Sequence, residues 1–387
     1  MKNIVLLEKQ IENSAYHGPI QPILDAKTNF CSIVVNGDPI TLSIIYDLIA
    51  ALFWAVHANA EKEIFIVFVG QRFDEKLTYI LLECYLEHII ADHNVHVQIH
   101  LQNNANIFTH GMMNSPLQKL CSESLGQSKV FSQSFRNDIG ITHYRKLFSP
   151  EEGGGDTLSA ALTNLFLIFR AFGIPSEQAN SFADITIELV GNALEHAQSE
   201  CFLDVDIADN YVRIDNPTGR KYYGVNLCVL NFSPALLSSG IQNKLCVNPE
   251  IDFNKGAIRY RTLREIYAHQ RRFFTRHYGD EEFFMLSAFQ HKISGRPNEY
   301  VTGGTGLPML IKSLEQQSET NNCYVVSGRR KMKFIQGLLE YDDNQWLGMN
   351  KQRDFAHFIP DSSVFSLSPI YFPGTAYNLN FVIPKET

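Results

Sequence analysis

The chain has 387 residues, of which 45% are hydrophobic and 19% charged, and its formal net charge is −8 at pH 7. This composition predicts a globular protein with room for two or three domains, and the negative charge argues against nucleic-acid binding through the whole surface. The first residues lack the apolar core of a signal peptide, and the longest apolar run, 42–58, contains Asp47 and His57, so no membrane span is predicted. Seven scattered cysteines without a C-x-x-C pair indicate free thiols in a reducing cytoplasm.

The first part of the chain alternates predicted strands with predicted helices. Apolar strands separated by helices predict a small α/β domain with a mostly parallel sheet. The order is similar to that of STAS-type domains, the partners of anti-sigma serine kinases, and also to other small α/β folds. No glycine-rich phosphate loop follows these strands, so this half is not an obvious nucleotide site. The predicted strands cover 31–35, 63–69 and 95–101, and the predicted helices cover 42–59 and 75–92.

Four histidines in this part of the chain raise the question of a metal site: His88, His93, His96 and His100. His96 and His100 share one face of a strand, but four residues at ~3.3 Å each place them ~13 Å apart, too far for one ion. His93 falls at the end of a helix, where a positive charge is favourable. We therefore interpret these histidines as structural or surface residues.

A Pro- and Gly-containing stretch, 149–155, marks the division of the chain. We assign 1–126 to the α/β domain, 127–156 to a connecting segment and 157–387 to a second domain. A short helix is predicted over 117–125, and a longer one over 157–172, ending at a Gly-Ile-Pro sequence.

The next predicted helix, which ends at Ala197, carries polar residues with chemical potential on one face. Glu188, Asn192 and His196 recur at every fourth residue. A carboxylate can orient and deprotonate a water, and an amide oxygen one turn later can hold Mg²⁺. The pattern E-x-x-x-N is common by chance, however, and by itself it indicates a solvated helix face.

Three further motifs follow this helix. A predicted strand pair (202–207 and 211–214) leads into a turn-forming D-N-P-T-G sequence. A glycine-rich loop precedes a predicted helix over 307–317, and backbone N–H groups in that setting can cradle a phosphate. Near the end, a Pro-Gly-Thr sequence opens a predicted strand over 376–383. The motifs are Asp215 to Gly219, Gly303 to Leu307, and Pro373 to Thr375.

This order of motifs resembles the ATP-binding domain of the gyrase, chaperone, histidine-kinase and mismatch-repair (GHKL) superfamily. The wording ELVGNALEHA is most similar to histidine kinases and anti-sigma serine kinases. The resemblance covers residues 158–387 and implies that the second domain is a two-layer α/β sandwich of the Bergerat type. It also implies ATP and Mg²⁺ as ligands.

The resemblance implies a role for each motif. Glu188 would polarise the attacking water or an acceptor hydroxyl, and Asn192 would hold Mg²⁺. Asp215 would accept a hydrogen bond from the adenine amine and would be supported by Thr375. Further nucleotide contacts are implied for His196, Gly219, Gly303, Gly304, Thr305, Gly306 and Leu307, although His196 fits a packed helix-end residue equally well.

Two prolines depart from the family pattern. Pro217 stands at the first glycine of the family's D-x-G-x-G motif, so the backbone there cannot approach a nucleotide in the usual way. Pro308 replaces a glycine in a first helical turn, where proline is well tolerated.

The interval at about 220–302 corresponds to the ATP lid of the resembled family but is unusually long. Its basic residues at 255–276 alternate with tyrosine and phenylalanine. This pattern fits a nucleic-acid surface, a lid arginine that senses the γ-phosphate, or a helix with a solvated basic face and a buried aromatic stripe. We favour the helix, with the lid arginine second. A second basic cluster, 329–333, is predicted to lie in a hairpin after a strand over 323–326.

The sequence thus predicts a cytoplasmic α/β protein that binds ATP with Mg²⁺ and hydrolyses it as a switch controlling a protein partner. A serine/threonine kinase of the anti-sigma type is one alternative, and a non-enzymatic, nucleotide-gated interaction protein is the other. Pro217 and the long lid favour the non-enzymatic alternative. Many relatives dimerise when ATP closes the lid, so a nucleotide-dependent homodimer is also expected. Nucleic acid would bind only through the basic insert, and no membrane contact is expected.

Overall fold

The computed structural model describes residues 1–25, 30–58, 62–69, 72–101, 111–121, 126–153, 155–211, 221–247, 258–293, 306–318 and 323–385. The helices are α1 (Val5–Ser14), α2 (Leu42–Ala58), α3 (Lys76–His93), α4 (Leu117–Leu120), α5 (Gln127–Arg136), α6 (Gly155–Ala171), α7 (Ser176–His196), α8 (Ser239–Gln242), α9 (Ile258–Gln270), α10 (Asp280–Ser287) and α11 (Gly306–Gln317). The strands are β1 (Ile23–Asp25), β2 (Phe30–Val35), β3 (Glu63–Phe68), β4 (His96–Leu101), β5 (Asn137–Ile139), β6 (His143–Phe148), β7 (Cys201–Tyr211), β8 (Tyr222–Phe232), β9 (Tyr324–Lys333) and β10 (Phe365–Pro384).

The first sheet has the strand order β1-β2-β3-β4. Strands β2, β3 and β4 are parallel and are connected by α2 and α3, whereas β1 is antiparallel to β2. The mostly parallel α/β arrangement predicted for this half is therefore confirmed. Helix α3 is buried continuously from Lys76 to Ile89, because its side chains join one core with residues of both sheets.

The second sheet has the order β5-β6-β7-β8-β10-β9, and all neighbouring strands are antiparallel. In β8 the odd-numbered residues from Val225 to Val229 pack toward α6, α7 and α11. The alternate residues Cys228, Leu230 and Phe232 pack in the core that contains α2 and α3. Because β8 is buried on both faces, its sequence is mostly apolar and does not alternate, and its polar residues Asn226 and Asn231 are buried as well.

Several predicted elements have different bounds in the structure. The predicted break between two strands at 208–210 is wrong. Strand β7 runs without interruption from Cys201 to Tyr211, and its register against β8 shifts between Ala208 and Tyr211. The turn-forming residues 208–210 are thus absorbed as a bulge. The predicted hairpin at 329–333 is also wrong, since β9 continues to Lys333 by pairing with the first residues of β10.

Two regions given other roles in the sequence analysis contribute strands to the second sheet. The interval assigned to a lid contains β8, which lies between β7 and β10, and the connecting segment contains β5 and β6. Strand β6 escaped prediction because His143 and Arg145 interrupt its apolar pattern, although both side chains are buried. All seven cysteines are free, as predicted. Within the described ranges, every helix is too short or too polar to cross a bilayer.

A buried ion network joins α3 to β6 and β7. The Lys76 ammonium forms ion pairs with the carboxylates of Asp204 and Asp206 and donates a hydrogen bond to Asp206. Arg145 donates to Asp204 and forms an ion pair with Glu83 over 2.9 Å. Burial alone would raise the pKa of Asp204, but Arg145 and Lys76 hold it well below its usual value. The buried cations Lys76 and Arg145 therefore both have carboxylate partners, as the desolvation cost of burying a charge requires.

Candidate functional site

Helix α7 positions the polar residues singled out in the sequence. Its apolar side chains, such as Ile185 and Leu189, are buried against the second sheet. The helix begins after Pro175, whose carbonyl accepts the N–H of Ala179, and the N–H of Ala197 closes its last turn. The opposite face is left to solvent, so the side chain of Glu188 is exposed.

The first turn of α11 lies directly against Glu188. A Cβ atom added at Gly306 would overlap the Cγ atom and the carboxyl group of Glu188. Only glycine at position 306 therefore leaves room for the Glu188 side chain where it lies. The first N–H groups of an α-helix have no intrahelical partner and carry a partial positive charge, so the Glu188 carboxylate lies at a favourable helix end.

A cleft of about 390 Å³ opens between α6, α7 and α11. Glu188, Asn192 and Gly306 line it, together with apolar residues such as Leu158 and Met309. Two further acids, Asp184 and Glu195, also line the cleft. Carboxylate and amide oxygens are the ligands that Mg²⁺ prefers, and the excess of negative charge would repel an anion that arrives without a cation.

The structure thus brings together three predicted site residues: Glu188 and Asn192 of α7, and Gly306 of α11, which follows them by more than 110 positions in sequence. Leu307 follows in α11 and packs against the core on the α7 side of the sheet. His196 ends α7, but its side chain lies outside the described residues. Asp215, Gly219, Gly303, Gly304 and Thr305 also lie outside the described residues.

The implied support of Asp215 by Thr375 stays a prediction, because Asp215 lies outside the described residues. Thr375 pairs with Asn231, and Asn231 pairs with Cys201, at the beginning of β7. Tyr211, at the other end of β7, is ten residues further along, or ~33 Å. The register therefore places Thr375 beside Asn231, at the Cys201 end of β7 and not at the Tyr211 end.

Asn231, the strand partner of Thr375, is a polar residue that the sequence analysis missed. It is buried, and its amide donates to the Ser199 hydroxyl over 3.1 Å. Nearby, the Ser233 hydroxyl donates to the carbonyl of Ala197, which places the end of β8 beside the end of α7. A polar residue that closes an apolar strand is a weak signal, and only the register links Asn231 to Thr375.

Helix α9, in the basic insert, has buried apolar residues and partly or fully exposed basic residues. Tyr260 and Leu263 of α9 are buried, whereas Arg261 and Arg271 are exposed. Arg259 lies over the ring of Trp346 at 3.8 Å and donates to carbonyl groups of three residues, His291, Asn344 and Gln345. These contacts favour the interpretation of a helix with a basic face and a buried aromatic stripe.

Comparisons of the chain with protein-family models, with curated proteins and with solved structures find no match. The cleft between α7 and α11 and the order of the sequence motifs are the observations from which a function can be inferred.

Proposed function

We propose that this protein binds ATP with Mg²⁺ in the cleft between α7 and α11 and hydrolyses it to control a protein partner. The observation that carries the proposal is the approach of Glu188 to Gly306 at the start of α11, with Asn192 lining the same cleft. Helices α6, α7 and α11 on one face of the second sheet are compatible with the Bergerat type of ATP-binding domain that the motifs resemble.

Each residue of the cleft has a distinct part in this proposal. The Asn192 amide oxygen would ligate Mg²⁺, and the N-terminal N–H groups of α11 would contact phosphate oxygens. Glu188 would orient the attacking water and accept its proton. Bound Mg²⁺ would supply positive charge to the phosphate groups, and backbone donors would stabilise the charge that develops in the transition state.

The negative charge of the cleft predicts that the nucleotide binds as its Mg²⁺ complex. Asp184 and Glu195 line it in addition to Glu188. A triphosphate without a cation would be repelled by these carboxylates, whereas the Mg²⁺ complex carries less negative charge. Nucleotide binding should therefore require a divalent cation and should be lost when EDTA is added.

Two residues are candidates for recognition of the base. The motif order predicts Asp215, whereas the register favours Asn231, because Asn231 faces Thr375 and lies beside the end of α7. Asn192 is five residues before Ala197, or ~7.5 Å along the helix axis, so a base beside Asn231 and phosphates near Asn192 are within the length of one nucleotide. Loss of ATP binding in Asn231→Ala but not in Asp215→Asn would select Asn231, and the reverse would select Asp215.

The test is ATP binding by equilibrium dialysis, together with phosphate release, for the wild type and three variants. Glu188→Gln should bind Mg²⁺-ATP without turnover, and Asn192→Ala should lose the Mg²⁺-dependent part of binding. Glu177→Gln is the matched control, because Glu177 is an exposed acid in the first turn of the same helix. A wild type that binds no ATP, or equal turnover in Glu188→Gln and Glu177→Gln, would refute the proposal.

The same assay separates the alternatives. Binding by the wild type without phosphate release would favour a nucleotide-gated interaction protein. Transfer of labelled phosphate to a serine or threonine of a partner, or of the chain itself, would favour a kinase of the anti-sigma type. Chromatography with and without nucleotide would show whether ATP promotes a homodimer.

A further inference from the structure

Four side chains with metal-ligating atoms converge from three helices in the first half of the chain. Glu8 comes from α1, His57 from the end of α2, and His88 and His93 from the end of α3. One ligand atom each of Glu8, His88 and His93 lies within 4.8 Å of the others. Glu8 Oε1 is 3.4 Å from His88 Nε2 and 3.9 Å from His57 Nε2, and the rings of His57 and His93 are 4.8 Å apart.

The outer nitrogens of two of these histidines are already held by the protein. His88 Nδ1 lies 2.8 Å from the Asp92 carboxylate, and His57 Nδ1 lies 3.0 Å from the Phe53 carbonyl. Both contacts orient the ring and direct Nε2 toward Glu8. A carboxylate or carbonyl on the second ring nitrogen is the usual outer support of a metal-bound histidine.

His88 supplies a second, independent observation at this cluster. Its side chain is only 4% exposed, and within the described residues its Nε2 atom has no hydrogen-bond partner. This nitrogen faces Glu8 Oε1, which accepts a hydrogen bond from the Tyr85 hydroxyl over 3.0 Å. A cation between Nε2 and the carboxylate would satisfy both atoms.

We propose that Glu8, His57, His88 and His93 form a structural site for Zn²⁺. Imidazole and carboxylate are ordinary ligands of Zn²⁺, and four of them without an open position indicate a structural site. Zn–ligand bonds of ~2.0–2.1 Å place two tetrahedral ligands ~3.3 Å apart, close to the 3.4 Å between Glu8 and His88. His57 is about one-third exposed and gives the ion a path from solvent.

The bound ion would fasten α1 to the ends of α2 and α3. Helix α1 also reaches the second sheet, because the Asn3 amide just before it donates to the carbonyl of Phe232 at the end of β8. The ion would therefore help to fix the first half of the chain against the sheet that carries the proposed nucleotide cleft. This role is independent of whether the cleft binds ATP.

A second group of ligand atoms, His143, Asp204 and Asp206, does not carry the same inference. The ammonium group of Lys76 lies between the two aspartates and supplies the positive charge that they require. His96 and His100 are also separate from the proposed zinc site. Both are exposed residues of β4, and His96 Nδ1 lies 3.2 Å from the Ser128 hydroxyl.

The test uses the full-length protein after treatment with a chelator and without nucleotide. Zn²⁺ is titrated by calorimetry, and Co²⁺ by the visible absorption bands that a tetrahedral site produces. The wild type should bind one ion per chain. His57→Ala and His93→Ala should each weaken binding more than 100-fold, and Asp92→Ala, which removes the support of His88, should weaken it ~10–100-fold.

His96→Ala is the matched control, because it removes an exposed histidine of the same region and should leave the affinity unchanged. Circular dichroism checks that the variants fold, which is expected because neither His57 nor His93 is a core residue. The proposal is overturned if the wild type binds no Zn²⁺, or if the His57, His93 and His96 variants bind it equally. Nucleotide is absent throughout, so failure here is distinct from failure of the proposed ATP site.

Discussion

Replacing Lys76 by methionine tests the buried ion network between the two halves of the chain. Lys76 is 5% exposed, and its ammonium contacts both Asp204 and Asp206. Methionine keeps much of the volume but removes the charge. Asp204 retains Arg145, so the uncompensated charge falls mainly on Asp206, whose other partner is the Asn114 amide at 2.7 Å.

The free energy of unfolding should fall by about 3–5 kcal/mol, the usual cost of leaving a buried charge without its partner. Burial raises the pKa of Asp206 even with Lys76 beside it, so in the variant a proton can replace the ammonium at low pH. The loss of stability should therefore be smaller at pH 5 than at pH 8.

Urea unfolding followed by tryptophan fluorescence would measure the effect. The chain has two tryptophans, so Trp346→Phe leaves Trp54 of α2 as a reporter in the layer that contains Lys76. Lys385→Met is the matched control: Lys385 contacts the half-exposed carboxylate of Asp209, and such a pair contributes ~1 kcal/mol or less.

The reasoning is refuted if Lys76→Met costs no more than Lys385→Met. A second requirement concerns Asp206. Adding Asp206→Asn to Lys76→Met removes the stranded charge and should recover a large part of the stability. No recovery would mean that the loss comes from packing and not from charge.

Three further predictions concern the cleft, pH and zinc. Gly306→Ala should displace the exposed Glu188 side chain by steric overlap and so abolish phosphate release. The free energy of unfolding should change by only about 1 kcal/mol, the ordinary size of a point-mutation effect. Turnover at the wild-type rate would contradict this prediction. Burial outweighs the adjacent Arg145 and raises the pKa of Glu83 from 4.5 to about 7. The stability that comes from this shifted ionisation of Glu83 is therefore fully present below pH 4.5 and is lost as the pH rises through 7. The loss amounts to about 3 kcal/mol at most. The urea midpoint should therefore fall less with rising pH in Glu83→Gln than in the wild type. Zn²⁺ at 100 times its Kd should stabilise the chelator-treated protein against urea by about 2.7 kcal/mol, whereas His57→Ala should show no such increase.

The sequence by itself was sufficient for the local elements. The α/β order of the first half follows from apolar strand cores separated by helical segments, and β2, β3 and β4 lie within a few residues of their predicted positions. Glu188 and Asn192 were placed on one helix face by their spacing alone. These features depend on neighbouring residues, so the local pattern contains the necessary information.

Elements that depend on distant partners were missed or misplaced. Strand β6 was not predicted because His143 and Arg145 look like surface residues until Asp204 and Glu83 are placed beside them. Strand β8 was assigned to a lid because its apolar sequence carries no information about which strands pair with it. Local propensity gives way in both cases to tertiary contacts.

The two candidate sites show the same division. Sequence motifs identified Glu188 and Gly306, but only the packing of α7 against α11 brings them into contact. Thr375 was assigned a partner by motif order, and the strand register gives it Asn231. Glu8 and His57 belong to no motif with His88 and His93, because a metal site assembled from three helices has no fixed spacing along the chain. The sequence alone shows which side chains could ligate a metal or act on a substrate. Whether they lie close enough to do so is determined by the long-range pairing of helices and strands.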